Sequence, residues 1–163
     1  MAVSVLFISS YNSARSQLAE GLLRESAGAA VDVHSAGSAA FGVDPRAVIV
    51  MAERGIDISA QRSRELAAYE RPLRFDHVIT LCERDEKACP VVPGVAAHEE
   101  WPLADPARAG RAGVDATAAF RDLRDRLELL ISGWLEDHRS ELAEPSGQEP
   151  VRAGRLRPAA SRR

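Results

Sequence analysis

Cysteine is scarce in this chain, long apolar runs are missing, and none of its 163 residues belongs to an internal repeat. Two cysteines, Cys82 and Cys89, are too few for the disulfide framework of a small secreted domain. In a reducing compartment they read as inert thiols or as a redox or metal pair. No stretch approaches the ~20 apolar residues of a membrane-spanning helix, so no membrane partner is expected. The opening MAVSVLFI lacks a basic segment and a small-residue cleavage site, which predicts no export signal and a cytoplasmic location. A strong positive balance is missing too. The net charge is −3, and residues 145–163 hold five arginines against one acid (+4), which leaves −7 on residues 1–144. An acidic body argues against nucleic acid as the main partner.

What is present suits one domain with a substantial core, 45% apolar and 28% charged. Val3 to Ile8 predicts a strand, Ala14 to Ala27 a helix with Leu18, Leu22 and Leu23 on its apolar side, and Gly28 its stop. Val31 to Ser35 predicts a second strand, closed by Ala36-Gly37. Asp44-Pro45 supplies a cap and a first helical residue for a helix carrying Val48, Met51 and Ala52, ended by Gly55. A short helix is expected over residues 62–69, a third strand over 75–81, a helical turn over 83–88 and a weak fourth strand over 95–99. Residues 116–138 predict the longest helix, with Phe120, Leu123, Leu127, Leu130, Ile131 and Trp134 on one face. Strands alternating with helices imply an α/β fold, with a parallel sheet flanked by helices on both sides. Residues 1–139 are expected to form the domain. Residues 140–163, rich in Pro, Gly, Ala, Ser and Arg with no apolar period, are expected to be a disordered Arg-rich tail.

The stretch from Val3 to Gly21 carries the chemistry. A strand runs into the small polar loop Ser9-Ser10-Tyr11-Asn12-Ser13-Ala14, and Arg15 and Ser16 open a helix. Loop N–H groups and a helix N-terminus make an anion cradle, and Arg15 can grip an oxyanion with two parallel hydrogen bonds. His34, His77 and His138 read as structural or solvent-facing, and Trp101 and Trp134 as packing residues. The arginines of the tail read as a solvated extension, or else as a docking segment for an acidic partner.

Several separated motifs then agree in order. They are Ser13-Ala14-Arg15-Ser16-Gln17 with Ala19-Glu20, His34-Ser35-Ala36-Gly37, Gly55-Ile56-Asp57-Ile58-Ser59, Leu81-Cys82 to Cys89-Pro90, and Trp101-Pro102 to Asp105-Pro106. Over roughly residues 3–138 the chain resembles the thioredoxin-coupled arsenate reductases, which share the low-molecular-weight tyrosine phosphatase fold. The resemblance implies a three-layer α/β fold around a four-stranded parallel sheet. It sits nearer the reductases than the phosphatases, because Ala14 and Gln17 stand where phosphatases carry a second Cys and a Pro, and because the Cys82/Cys89 pair is kept.

The resemblance also implies roles. Arsenate or phosphate would bind across Ser10, Tyr11, Asn12, Ser13, Ala14, Arg15 and Ser16. Cys82 and Cys89 would be the relay thiols, ending as a disulfide that thioredoxin or a low-molecular-weight thiol reduces, with no cofactor required. Asp105 would be a general acid, although Asp before Pro is also an ordinary turn element. Asn12, Glu20 and Ser35 would hold a potassium ion, with Arg64 standing near where the family has an acidic ligand. Ser9 stands where the family has its nucleophilic cysteine. A serine needs an adjacent base and cannot donate the sulfur electrons of a thiol relay, so Ser9 reads better as a hydrogen-bonded loop residue. Tyr11 stands where Gly is common, and a side chain at a positive backbone angle would reshape or block the loop. The expected function is an arsenate reductase-like protein. The alternatives are a non-catalytic binder of an oxyanion or trivalent arsenic and, more weakly, a phosphatase.

Overall fold

The computed structural model of the chain describes residues 2–69, 71–92, 95, 97–112 and 115–144. Its centre is the strand β1 (Val3–Ser9), all seven residues of which are buried. A strand covered on both faces needs no polar alternation, which is why VSVLFIS reads as a nearly continuous apolar run. On one side β1 pairs in parallel with β2 (Val31–Gly37), Val3 opposite Val31 and Ser9 opposite Gly37. On the other it pairs in parallel with β3 (His77–Thr80), which in turn pairs with β4 (His98–Glu100). The sheet order is β2-β1-β3-β4.

The alternation of β1 divides the core. Val3, Val5 and Phe7 face a layer of helices: α1 (Arg15–Ala27), α2 (Pro45–Ala52) and α3 (Ala116–Asp137). Leu6 and Ile8 face the other way, where Ala36 and Val78 of the sheet meet Leu66, Tyr69, Phe75 and Val92. The three layers expected from the sequence are therefore present, with the second outer layer made of a 3-10 turn and extended chain.

Local chemistry explains the helix starts. The Asp44 side chain accepts the Arg46 N–H at 2.9 Å ahead of Pro45, and Asp115 accepts the Thr117 N–H at 2.9 Å ahead of α3. Phe120, Leu123, Leu127, Ile131 and Trp134 form the buried stripe of α3, with Leu130 half-buried beside it. In α1, Gly21 allows the close approach of the segment after α2, since a Cβ there would lie 2.6 Å from Ile58 Cγ2.

Some elements differ from expectation. Residues 62–69 hold only a single 3-10 turn, Leu66–Ala68. The backbone there bonds elsewhere: the Arg64 N–H goes to Asn12 Oδ1 at 2.7 Å, and Arg64 O accepts the Gly37 N–H at 2.9 Å. Residues 83–89, expected to make a helical turn over 83–88, form two consecutive turns, with Glu86 N–H to Glu83 O and Cys89 N–H to Glu86 O. Helical chain continues past α3 as α4 (Arg139–Ala143), where the sequence predicted a disordered tail from residue 140. Leu142 packs against the core, which explains the extension. The rest of the expected tail, 145–163, lies outside the described residues. Among the described residues no helix is long and apolar enough to cross a membrane.

Candidate functional site

In the order β2-β1-β3-β4 the chain leaves β1 toward β2 on one side, while β3 lies on the other. Loops leaving the carboxyl ends of β1 and β3 therefore diverge and open a crevice, the usual ligand position in an open parallel sheet. The Ser9–Arg15 loop follows β1 into that crevice, and the Cys82–Cys89 segment follows β3. The sequence-predicted cradle and cysteine pair are brought together here: Ser10 Oγ lies 3.9 Å from Cys82 Sγ. Cys82 and Cys89 are joined by a disulfide, their Cα atoms 6.1 Å apart.

The loop is rigidly built. Gly37, at the end of β2, lies so close that a Cβ there would fall 2.8 Å from both Asn12 N and Ser10 O. Asn12 takes the left-handed conformation, with φ of 47°. Asn tolerates that region better than most residues, and here its side chain is locked. Its Nδ2 donates to Ser16 Oγ and Ser35 Oγ, while its Oδ1 accepts from Gln17 and from the Arg64 backbone. The positive backbone angle thus falls on Asn12 and not on Tyr11. The Tyr11 ring stacks on Phe41 with centroids 4.7 Å apart, so it does not reshape the turn as expected. Ser13 O accepts the Asp44 N–H at 2.8 Å, and Ala14 precedes α1 without a side-chain cap. Among the described residues, none of the main-chain N–H groups from Tyr11 to Gln17 donates to another protein group. A run of unpaired N–H groups at a helix N-terminus is an anion-binding arrangement.

Ser9 is buried, and its Oγ lies 2.6 Å from Ser16 Oγ. His34 and His98 are engaged elsewhere. His34 Nδ1 meets the Tyr69 hydroxyl at 3.2 Å, and His98 Nε2 meets Thr80 Oγ1 at 2.8 Å. Asp105 accepts the Ala107 N–H at 3.0 Å and so starts the 3-10 stretch Pro106–Ala112. Its neighbour Leu103 reaches the site, since Leu103 O accepts from Arg15 Nη1 at 3.1 Å.

Arg15 is only 3% exposed and is gripped by a residue that the sequence did not single out. Its Nη1 and Nη2 each donate to one oxygen of Glu86, both at 2.6 Å. Ser10 Oγ and the Glu83 N–H also donate to this carboxylate. Burial by itself would raise the Glu86 carboxyl, but the bonds from Arg15 and Ser10 outweigh it and bring it down to about 2.

Asn12, Glu20 and Ser35 also come together, Ser35 Oγ donating to Glu20. Yet Arg24 pairs with the other Glu20 oxygen and donates to Val33 O at 3.2 Å. The amide oxygen of Asn12 is already taken, and its NH2 points at Ser35. A guanidinium supplies the positive charge, so these residues do not fit a bound potassium ion. At the opposite end of the sheet, His77, His138 and Glu141 offer ligand atoms within 4.8 Å of one another. There His77 Nε2 meets both Glu141 oxygens at 3.0 Å and His138 stacks on Trp134, an arrangement complete without an ion.

The chain is similar to known proteins in sequence and fold. The sequence profile of the low molecular weight phosphotyrosine protein phosphatase family matches residues 4–144. An arsenate reductase of Halalkalibacterium halodurans is 39% identical over 132 residues, covering 81% of this chain and 94% of that protein. An arsenate reductase solved in a phosphate-binding state superposes with a TM-score of 0.70 at 29% identity, over 83% of this chain and 98% of the other. A thioredoxin-dependent arsenate reductase of Corynebacterium glutamicum gives a TM-score of 0.57 at 28% identity, over 83% of this chain and 63% of the other. The chain belongs to the low-molecular-weight phosphotyrosine phosphatase family, within its thioredoxin-coupled arsenate reductase branch.

Proposed function

We propose that this chain is an arsenate reductase-like protein that binds arsenate or phosphate in the Ser9–Arg15 loop and uses Cys82 and Cys89 as its electron-carrying pair. The observation that carries this is the junction of the two elements, with Cys82 Sγ within 3.9 Å of a cradle hydroxyl. In the overall reaction arsenate accepts two electrons to become arsenite, and one oxygen leaves as water. The electrons come from the two thiols, which end as the Cys82–Cys89 disulfide, and thioredoxin or a low-molecular-weight thiol restores them. Arg15 and the loop N–H groups would hold the oxyanion, and Asp105 would serve as proton donor to the leaving oxygen.

The first thiolate must come from outside the loop, because Ser9 carries no sulfur and, among the described residues, its hydroxyl meets only Ser16. The same contact favours a second function, non-catalytic binding of an oxyanion or, through the two thiols, of trivalent arsenic. It also counts against a serine phosphatase. Arsenite production by the full chain with thioredoxin, thioredoxin reductase and NADPH separates these readings when the protein is compared with Ser9→Cys. The unchanged protein should yield arsenite only when a small thiol is added, and Ser9→Cys should yield it with thioredoxin alone. A folded, phosphate-binding Ser9→Cys protein that makes no arsenite would refute the reductase function. No arsenite from the unchanged protein under any thiol would leave binding as its role.

A further inference from the structure

The Arg15–Glu86 pair has the form of a bound ligand. Each Glu86 oxygen takes two donors: Oε1 those of Arg15 Nη2 and Ser10 Oγ, Oε2 those of Arg15 Nη1 and the Glu83 N–H. Both side chains are withdrawn from solvent, Arg15 3% and Glu86 5% exposed, which sets this pair apart from the surface ion pairs of α3. The Nη1/Nη2 edge of a guanidinium, with two parallel N–H donors, suits a carboxylate, phosphate or arsenate alike. Glu86 and an incoming oxyanion are therefore alternatives on that edge of Arg15.

The position of Glu86 in the chain gives the contact a control. It lies inside the segment closed by the Cys82–Cys89 disulfide, and its own backbone oxygen accepts the Cys89 N–H at 3.2 Å. The far end of the segment is fastened to the cradle side, since Ser38 Oγ donates to Ala88 O and the Ser38 N–H goes to Ser10 O. With the disulfide intact, few backbone paths join Cys82 to Cys89, and the one observed delivers the carboxylate to Arg15. A group tethered in this way competes at an effective concentration of ~1 mM or more.

We infer that Glu86 is a built-in carboxylate ligand of the oxyanion cradle, held on Arg15 while Cys82 and Cys89 are joined and released when they are reduced. Reduction takes two electrons and two protons from a dithiol, breaks the S–S bond, leaves two thiols here and forms a disulfide on the donor. The protein in its oxidised state would then hold arsenate or phosphate weakly, and the reduced protein tightly. Oxyanion uptake would be confined to the state that has electrons to give. Glu86 has this role only if the cradle binds oxyanions as proposed above.

Inorganic phosphate, which thiols do not reduce, is the probe. Isothermal titration of the full chain should show binding at least tenfold tighter after reduction with dithiothreitol than in the disulfide form. Glu86→Gln should bind tightly in both states, so that the redox difference disappears. Cys89→Ser, which cannot form the bond and leaves the carboxylate in place, should behave as the reduced protein whatever the oxidant, and keeps the test open if Glu86→Gln does not fold. Equal phosphate affinity in the oxidised, reduced and Cys89→Ser proteins would overturn the gate and leave the oxyanion site standing. No phosphate binding by any of them would overturn the oxyanion site itself and the gate with it.

Discussion

Acidification should expose the Glu86–Arg15 pair as a measurable part of stability. The Glu86 carboxyl, 4.5 in its ordinary state, is brought to about 2 in the folded protein because the donors around it outweigh its burial. A folded-state value below the unfolded one means that the contribution is complete above about pH 4.5 and is lost as pH falls through about 2. At ~1.4 kcal/mol per unit, the gap from 4.5 to about 2 corresponds to roughly 3 kcal/mol at neutral pH. About 2 kcal/mol of that is gone by about pH 3. With a urea slope of about 2 kcal/mol per molar, this one group should lower the unfolding midpoint by about 1 M between neutral pH and about pH 3. Other carboxylates also titrate there, so the informative quantity is the stability gap between the protein and Glu86→Gln. At neutral pH the variant leaves a buried guanidinium without its partner and should be less stable by ~3–5 kcal/mol. That gap should narrow by about 2 kcal/mol on acidification, because only the unchanged protein loses the Glu86 contribution. Urea denaturation of both disulfide-bonded proteins, followed by circular dichroism at several pH values, reads it directly. A gap that stays constant from neutral pH to about pH 3 would refute the claim that Arg15 holds an ionised Glu86 carboxylate.

Two further substitutions test the scaffold. Gly37→Ala would push a Cβ to 2.8 Å from backbone atoms of Ser10 and Asn12, so it should lower stability by ~1–3 kcal/mol and weaken phosphate binding. Unchanged melting and unchanged binding by calorimetry would show that β2 does not press on the loop. Arg124→Leu removes the donor that reaches Val50 O at 2.7 Å and Glu53 at 3.0 Å from within the α2–α3 packing. The stranded carbonyl should cost ~1–3 kcal/mol in urea unfolding, and a variant of equal stability would contradict that role.

The elements that the sequence disclosed are those whose signal is local. Five apolar residues between Val3 and Ile8 predict a strand, and the spacing of Phe120, Leu123, Leu127, Ile131 and Trp134 predicts the buried face of α3. The order of strand, small polar loop, Arg15 and helix was legible for the same reason, since these pieces are contiguous. What the pattern could not give is set by partners far away in the chain. Residues 62–69 look helical in isolation, but Asn12 and Gly37 claim the backbone groups of Arg64 and hold the segment extended. Tyr11 looked like the strained position of the loop. Asn12 takes the strain because its side chain can bond Ser16, Ser35, Gln17 and Arg64 at once. Glu20 looked like a cation ligand, and Arg24 one helical turn on already neutralises it. Glu86 is the clearest case. Within Glu83-Arg84-Asp85-Glu86-Lys87 nothing separates it from a solvated run of charge, and it becomes part of the site only through Arg15, 71 positions earlier. The sequence marks the loop proposed to hold an anion. Which carboxylate sits on Arg15 is decided by the contact of two loops, and the residue that supplies it lies between the two disulfide-bonded cysteines.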